Sequence, residues 1–139
     1  MAREPVWSRS LTVPIARRIP PRRRSAALRA IKAIHTAIFF SVLAMIFLIA
    51  WDGARGRPRR RTAVATGIAL TESAVFASNN QVCPLSPLAE DLGAASGSVT
   101  DIYLPGWLSR RIPVLSGTLL VVGLGLNLVA CRRQARSPR

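Results

Sequence analysis

Three apolar stretches separated by arginine clusters dominate the sequence: Ala33–Trp51, Thr62–Val82 and Pro113–Cys131. Each is about 19–21 residues long, which at ~1.5 Å rise per helical residue matches the ~30 Å hydrocarbon core of a bilayer. The pattern predicts an all-α, polytopic membrane protein with three transmembrane helices. A disordered basic arm (1–24) precedes the membrane domain (25–133), which contains an extramembrane loop (83–112). A disordered basic tail (134–139) follows.

The spans differ in character. Ser25 is placed to cap a helix through Ala26–Trp51. Its core, Ala37–Ala50, has Ser41 as its only polar residue, and Trp51 closes it where an interfacial aromatic belongs. The glycines and proline of Asp52–Pro58 predict a turn short enough to make spans one and two antiparallel neighbours. The second span is the most polar, with Thr66, Thr71, Glu72, Ser73, Ser78, Asn79, Asn80 and Gln81. Ala65, Ala69, Ser73 and Ala77 recur every fourth residue, a small-residue face that admits a neighbouring helix closely. In the third span Gly117, Val121 and Gly125 form a similar face. The loop between spans two and three carries signals for two short interfacial helices. One runs over Pro87–Leu92, between Ser86 and Gly93; the other starts at the capping box Ser98-Val-Thr-Asp101. Ile102, Tyr103, Leu104, Trp107 and Leu108 fit a segment lying on the membrane surface. In the arm, by contrast, four prolines (5, 14, 20 and 21) and the absence of a hydrophobic period predict disorder.

Charge sharpens this picture. The chain carries 20 Lys+Arg against 6 Asp+Glu, a net of +14. The basic residues fall in blocks beside the spans: nine before the first, five in Arg55–Arg61, Arg110 with Arg111, and four from Arg132 onward. Such positions are explained more simply by topology and by anionic lipid headgroups than by nucleic acid. Three spans put the arm and the long loop on one face, and the Arg55–Arg61 turn and the tail on the other. The compact basic turn and tail are assigned to the cytoplasm, since the positive-inside rule weights short segments next to the spans. The expected site is a bacterial inner membrane.

Candidate chemistry is sparse. Glu72 is the only acid in the spans, and an acid at mid-bilayer costs ~2.5–3.5 kcal/mol on insertion scales. It is therefore a candidate for an interhelix hydrogen bond or a proton or cation pathway. Counting inward from Trp51 and Arg61 brings Ser41 to a similar depth. His35, the only histidine, falls at the depth of Ser78 and Asn79, and with Asn80 and Gln81 completes a polar layer near one interface. Cys83 and Cys131 end different spans on opposite faces, too far apart for a disulfide, and Cys83 is a candidate free thiol. Two cysteines without Cys-x-x-Cys spacing make no self-contained zinc or iron–sulfur site. Glycine-rich phosphate loops, paired carboxylates and a Ser/His/Asp order are missing too, so no catalytic residue, metal or cofactor is assigned.

The string Cys83-Pro-Leu-Ser-Pro-Leu-Ala-Glu90 resembles a Cys-Pro-Leu-Thr-Pro-Leu-Glu motif in a family of uncharacterised small bacterial integral membrane proteins, where it follows a transmembrane helix. His35–Phe39 and Asp101–Pro105 are similar to a His-Thr-Ala-Ile-Phe start and an Ile-Phe-Leu-Pro loop in related short proteins. The likeness covers about Ile31–Arg133. This chain differs in Ser86, in Ala89 ahead of the Glu, and in its basic arm. The resemblance implies a multi-helix membrane fold and no particular chemistry. The function expected is that of a non-enzymatic subunit or scaffold acting through helix packing. Its partners would be the bilayer, further copies of itself or a larger membrane protein. Two alternatives stay open: a small transporter or proton-linked component using Glu72, and a haem- or redox-associated subunit using His35.

Overall fold

The computed structural model describes residues 4–94 and 106–136, with side chains from residue 111 onward in the second stretch. Among the described residues there are five helices and no strand: α1 (Ser8–Arg18), α2 (Pro21–Ala54), α3 (Arg60–Ser78), α4 (Leu85–Asp91) and α5 (Gly106–Arg136). They form two compact units, one of Met1–Phe39 with Glu72–Arg110, the other of Phe40–Thr71 with Arg111–Arg139.

In the first unit the expected disordered arm is instead a helix docked on the protein. Ser8, Thr12 and Ala16 recur every fourth residue of α1 and are buried, and α1 packs on α4, whose Pro87 and Ala89 are also buried. Pro14 lies within α1, where the ring removes one backbone donor without ending so short a helix. Pro21 starts α2, its fixed φ suiting the first helical position. Ser25, the expected cap, lies inside α2 and is exposed. In α4 Ser86 is likewise internal; the residue before the helix is Pro84, and Gly93 follows it at φ +108°. The expected helix at Ser98–Asp101 lies outside the described residues.

The second unit packs the later part of α2 against α3 and α5. Its core is Ile46, Ile49, Ala65, Ala69 and Leu120, flanked by Val42, Met45, Leu48, Leu119 and Leu124. Alanines and glycines on this face let the backbones approach closely. Gly53 and Gly123 mark the tightest place. A Cβ on Gly53 would stand 2.7 Å from Asn127 Nδ2, and one on Gly123 would stand 3.0 Å from the Ala50 backbone. Asn127 seals the contact by donating from Nδ2 to the Ile49 carbonyl (2.7 Å) and to the Gly123 carbonyl (2.8 Å). The face expected on α5 is therefore the wrong one. Gly117 and Gly125 have open space around them, and Val121 is exposed. On α3 the expected face is half right: Ala65 and Ala69 are buried, whereas Ser73 and Ala77 are exposed.

Two helix ends explain where the observed elements depart from the expected spans. α2 runs on to Ala54, and Gly56 at φ +63° terminates it. Gly56 N–H donates to the Gly53 carbonyl and Arg57 N–H to the Asp52 carbonyl, the paired bonds of a Schellman motif. α3 ends at Ser78, four residues early, because Asn80 (φ +57°) and Gln81 (φ +61°) turn left-handed. There Gln81 N–H donates to the Phe76 carbonyl, closing the helix in the same way. At the other end of the chain, α5 extends through Arg136, so the first part of the expected disordered tail is helical.

Candidate functional site

Two polar clusters have their side-chain hydrogen-bonding atoms engaged. Asn79 belongs to the first. Fully buried, it accepts at Oδ1 from the backbone N–H groups of Val6 (3.0 Å), Trp7 (3.1 Å) and Ser8 (3.2 Å). Its Nδ2 donates to Ser8 Oγ (2.7 Å) and to the Val82 carbonyl (2.8 Å). Helix α1 has no cap from its own N-cap residue, Trp7, so Asn79 serves as that cap from 71 residues away. Neighbouring groups join the same anchorage: Trp7 Nε1 donates to Ser78 Oγ, and Asn80 Nδ2 to the Glu4 carbonyl. Arg9 pairs with Glu90 at 3.2 Å. The polar layer expected around Asn79 is thus a docking point for the arm.

Asp52 heads a second saturated cluster. Its carboxylate is 3 % exposed, accepts from Arg61 Nε (3.2 Å) and Nη2 (2.9 Å), and takes the Thr62 hydroxyl proton in a 2.6 Å bond. Thr62 Oγ1 also accepts from Arg59 N–H, the reach-back bond of a capping box, and so starts α3. The cluster pins the α2–α3 turn. From the sequence Asp52 reads only as turn composition; the signal for its role is an acid one residue after Trp51 with Arg61-Thr62 at the next helix start.

The remaining candidates differ in exposure. Glu72 is half-buried, three residues beyond Ala69 on α3, and among the described residues its carboxylate takes part in no hydrogen bond or ion pair. His35 is buried in α2, and Ser41 is exposed. Cys83 is half-buried, Cys131 is exposed, and both are free thiols. Hydroxyls elsewhere in the long helices are satisfied within their own helix. Thr36, Thr71, Ser116 and Thr118 each donate to the carbonyl four residues back, at 2.7–2.9 Å. Among the described residues, no group of three or more His, Cys, Asp or Glu is placed to hold a metal ion.

The chain matches no family model, no curated protein and no solved structure.

Among the described residues, two helices are long and apolar enough to cross a membrane: α2, and α5 from Arg111. Their most apolar windows have mean hydropathies of 2.4 and 2.1, yet only 11% and 17% of the residues in them are buried.

Proposed function

We propose that the protein is a non-enzymatic, multi-pass integral membrane protein that works as a subunit or scaffold through helix packing. The observation that carries this reading is the exposure of the two apolar helices. A core helix of a water-soluble protein hides such a surface; here Phe47, Trp51, Val121, Val122 and Leu128 point outward. Helix α3 supplies the third span in this reading. Its Val64, Ile68 and Leu70 are exposed while Ala65 and Ala69 are covered, and its hydroxyls Thr71 and Ser78 are satisfied internally. In this reading the Arg55–Arg61 turn and the end of α5 face the cytoplasm of a bacterial cell. The resemblance of the Cys83–Glu90, His35–Phe39 and Asp101–Pro105 strings to small bacterial membrane proteins agrees with this reading.

Resistance of the chain to alkaline extraction from membranes tests integration. Single cysteines at Ser98 and Arg57, in a background with Cys83 and Cys131 replaced by serine, test the topology. Membrane-impermeant labelling is expected from opposite sides, and labelling of both from one side rejects three spans. Co-purification of a stoichiometric partner or a stable homo-oligomer supports the subunit role.

A second reading, proton-linked transport, is favoured by Glu72, a half-buried acid with no described ionic partner. Glu72→Gln keeps shape and hydrogen-bonding capacity but removes titration. If Glu72 is structural, Gln should preserve folding and assembly whereas Leu should not; a pathway residue should give a Gln variant that assembles normally and loses pH-dependent flux.

A further inference from the structure

Between α2 and α3, within the second unit, runs a groove of about 450 Å³. Met45, Leu48, Val64 and Ile68 line its apolar length, and Arg60 and Arg61 stand at one end. Those two arginines differ in what they face. The guanidinium of Arg61 is committed to Asp52 by two hydrogen bonds. Arg60 makes no side-chain hydrogen bond or ion pair among the described residues.

The position of Arg60 adds a second, independent observation. It is the first residue of α3, where the helix macrodipole is positive and an acid is the favoured neighbour; the first turn of α3 holds none. Five arginines lie in 55–61, and Asp52 is the one acid beside them. Positive charge is therefore concentrated where the fold offers a single, already occupied anion. An anion from outside would relieve it, and the apolar groove leading away from that point fits the tail of the same molecule. From Arg60 to Ile68 the groove follows about 12 Å of helix at 1.5 Å per residue.

We infer that this groove binds an anionic phospholipid, its phosphate at Arg60 on the positive end of α3 and one acyl chain along Met45, Leu48, Val64 and Ile68. The inference rests on the reading of the chain as an integral membrane protein. A free phosphate would use the arginine and leave the groove empty; a nucleic acid or acidic peptide has no use for an unbranched apolar channel.

The full-length protein is reconstituted in bilayers containing equal amounts of phosphatidylglycerol and phosphatidylcholine, extracted in mild detergent, and its retained lipids are counted by native mass spectrometry. Preferential retention of phosphatidylglycerol is expected. Arg60→Gln should weaken that preference about fivefold, the factor that corresponds to the ~1 kcal/mol an arginine contributes near an anionic surface. Val64→Trp, which fills the channel at an exposed position and keeps the charge, should weaken it as well. Arg132→Gln, near the end of α5 and outside the groove, should leave it unchanged. Equal retention of the two lipids, an unaffected Arg60→Gln variant, or an equal loss in Arg132→Gln overturns the assignment, as does displacement of the lipid by millimolar inorganic phosphate. A chain that resists alkaline extraction but shows no lipid preference loses the groove and keeps its membrane reading. One released by alkali loses both.

Discussion

The two units of this protein are held together by different chemistry. In the first, Met1–Phe39 with Glu72–Arg110, the contacts that matter are polar: five hydrogen bonds converge on Asn79, and Arg9 pairs with Glu90. The second, Phe40–Thr71 with Arg111–Arg139, relies on backbones brought close by Gly53, Gly123, Ala65 and Ala69, with Asn127 bonded to main-chain carbonyls. Helices joined through glycine and alanine gain chiefly from the closeness of their packing. Water competes for every polar group of an exposed arm, and the arm is ordered where one amide satisfies several backbone donors together.

The largest effects should come from filling the close contacts. Gly53→Ala and Ala69→Leu are each expected to destabilise the second unit by about 1–3 kcal/mol, the usual cost of overpacking. Thermal unfolding in detergent measures it, and an unchanged melting temperature for both would mean that these faces look at lipid. Gly125→Ala, in open space on the other side of α5, should cause no such loss.

Asn79→Ala removes the cap of α1, at a cost of about 0.5–2 kcal/mol. The effect should be local. Trypsin should cut faster at Arg17 and Arg18, and hydrogen exchange in α1 should rise, while protection around Ile49 and Ala65 stays as it was. Loss of protection in both places would show that the units are not held separately. Smallest is Arg9→Gln: its pair with Glu90 is partly exposed, and such bridges contribute about 0.2–1 kcal/mol. Proteolysis of α1 should then change far less than in Asn79→Ala.

Long runs of Leu, Ile, Val and Phe made α2 and α5 legible from sequence as long apolar helices. Helix ends were harder. Asn79-Asn80-Gln81 reads as a polar layer inside a span, but its left-handed residues stop the helix, and only the phi angles distinguish the two. Helix α1 escaped for a different reason. Its buried face is Ser8, Thr12 and Ala16, while Leu11 and Ile15 are exposed, the reverse of the pattern by which an amphipathic helix is recognised. On α5 both Gly117-Val121-Gly125 and Leu120-Gly123-Asn127-Ala130 are helical faces. Spacing alone does not choose between them. The asparagine, able to reach a neighbouring carbonyl, marks the second as the packed one. Among the candidate residues, Asn79 was visible as important but not as a cap, because its partners lie more than 70 residues away.

That separation has a consequence for how the protein is made. The N–H groups of Val6, Trp7 and Ser8 leave the ribosome before the amide that will cap them, and Asn79 follows Ser8 by 71 residues. At ~5–20 residues per second the interval is roughly 4–14 s. Throughout it the start of α1 lacks the amide that caps it. Only when Asn79 arrives, just past the end of α3, does the arm acquire its cap, so this one amide acts as a latch that closes after α3 is complete.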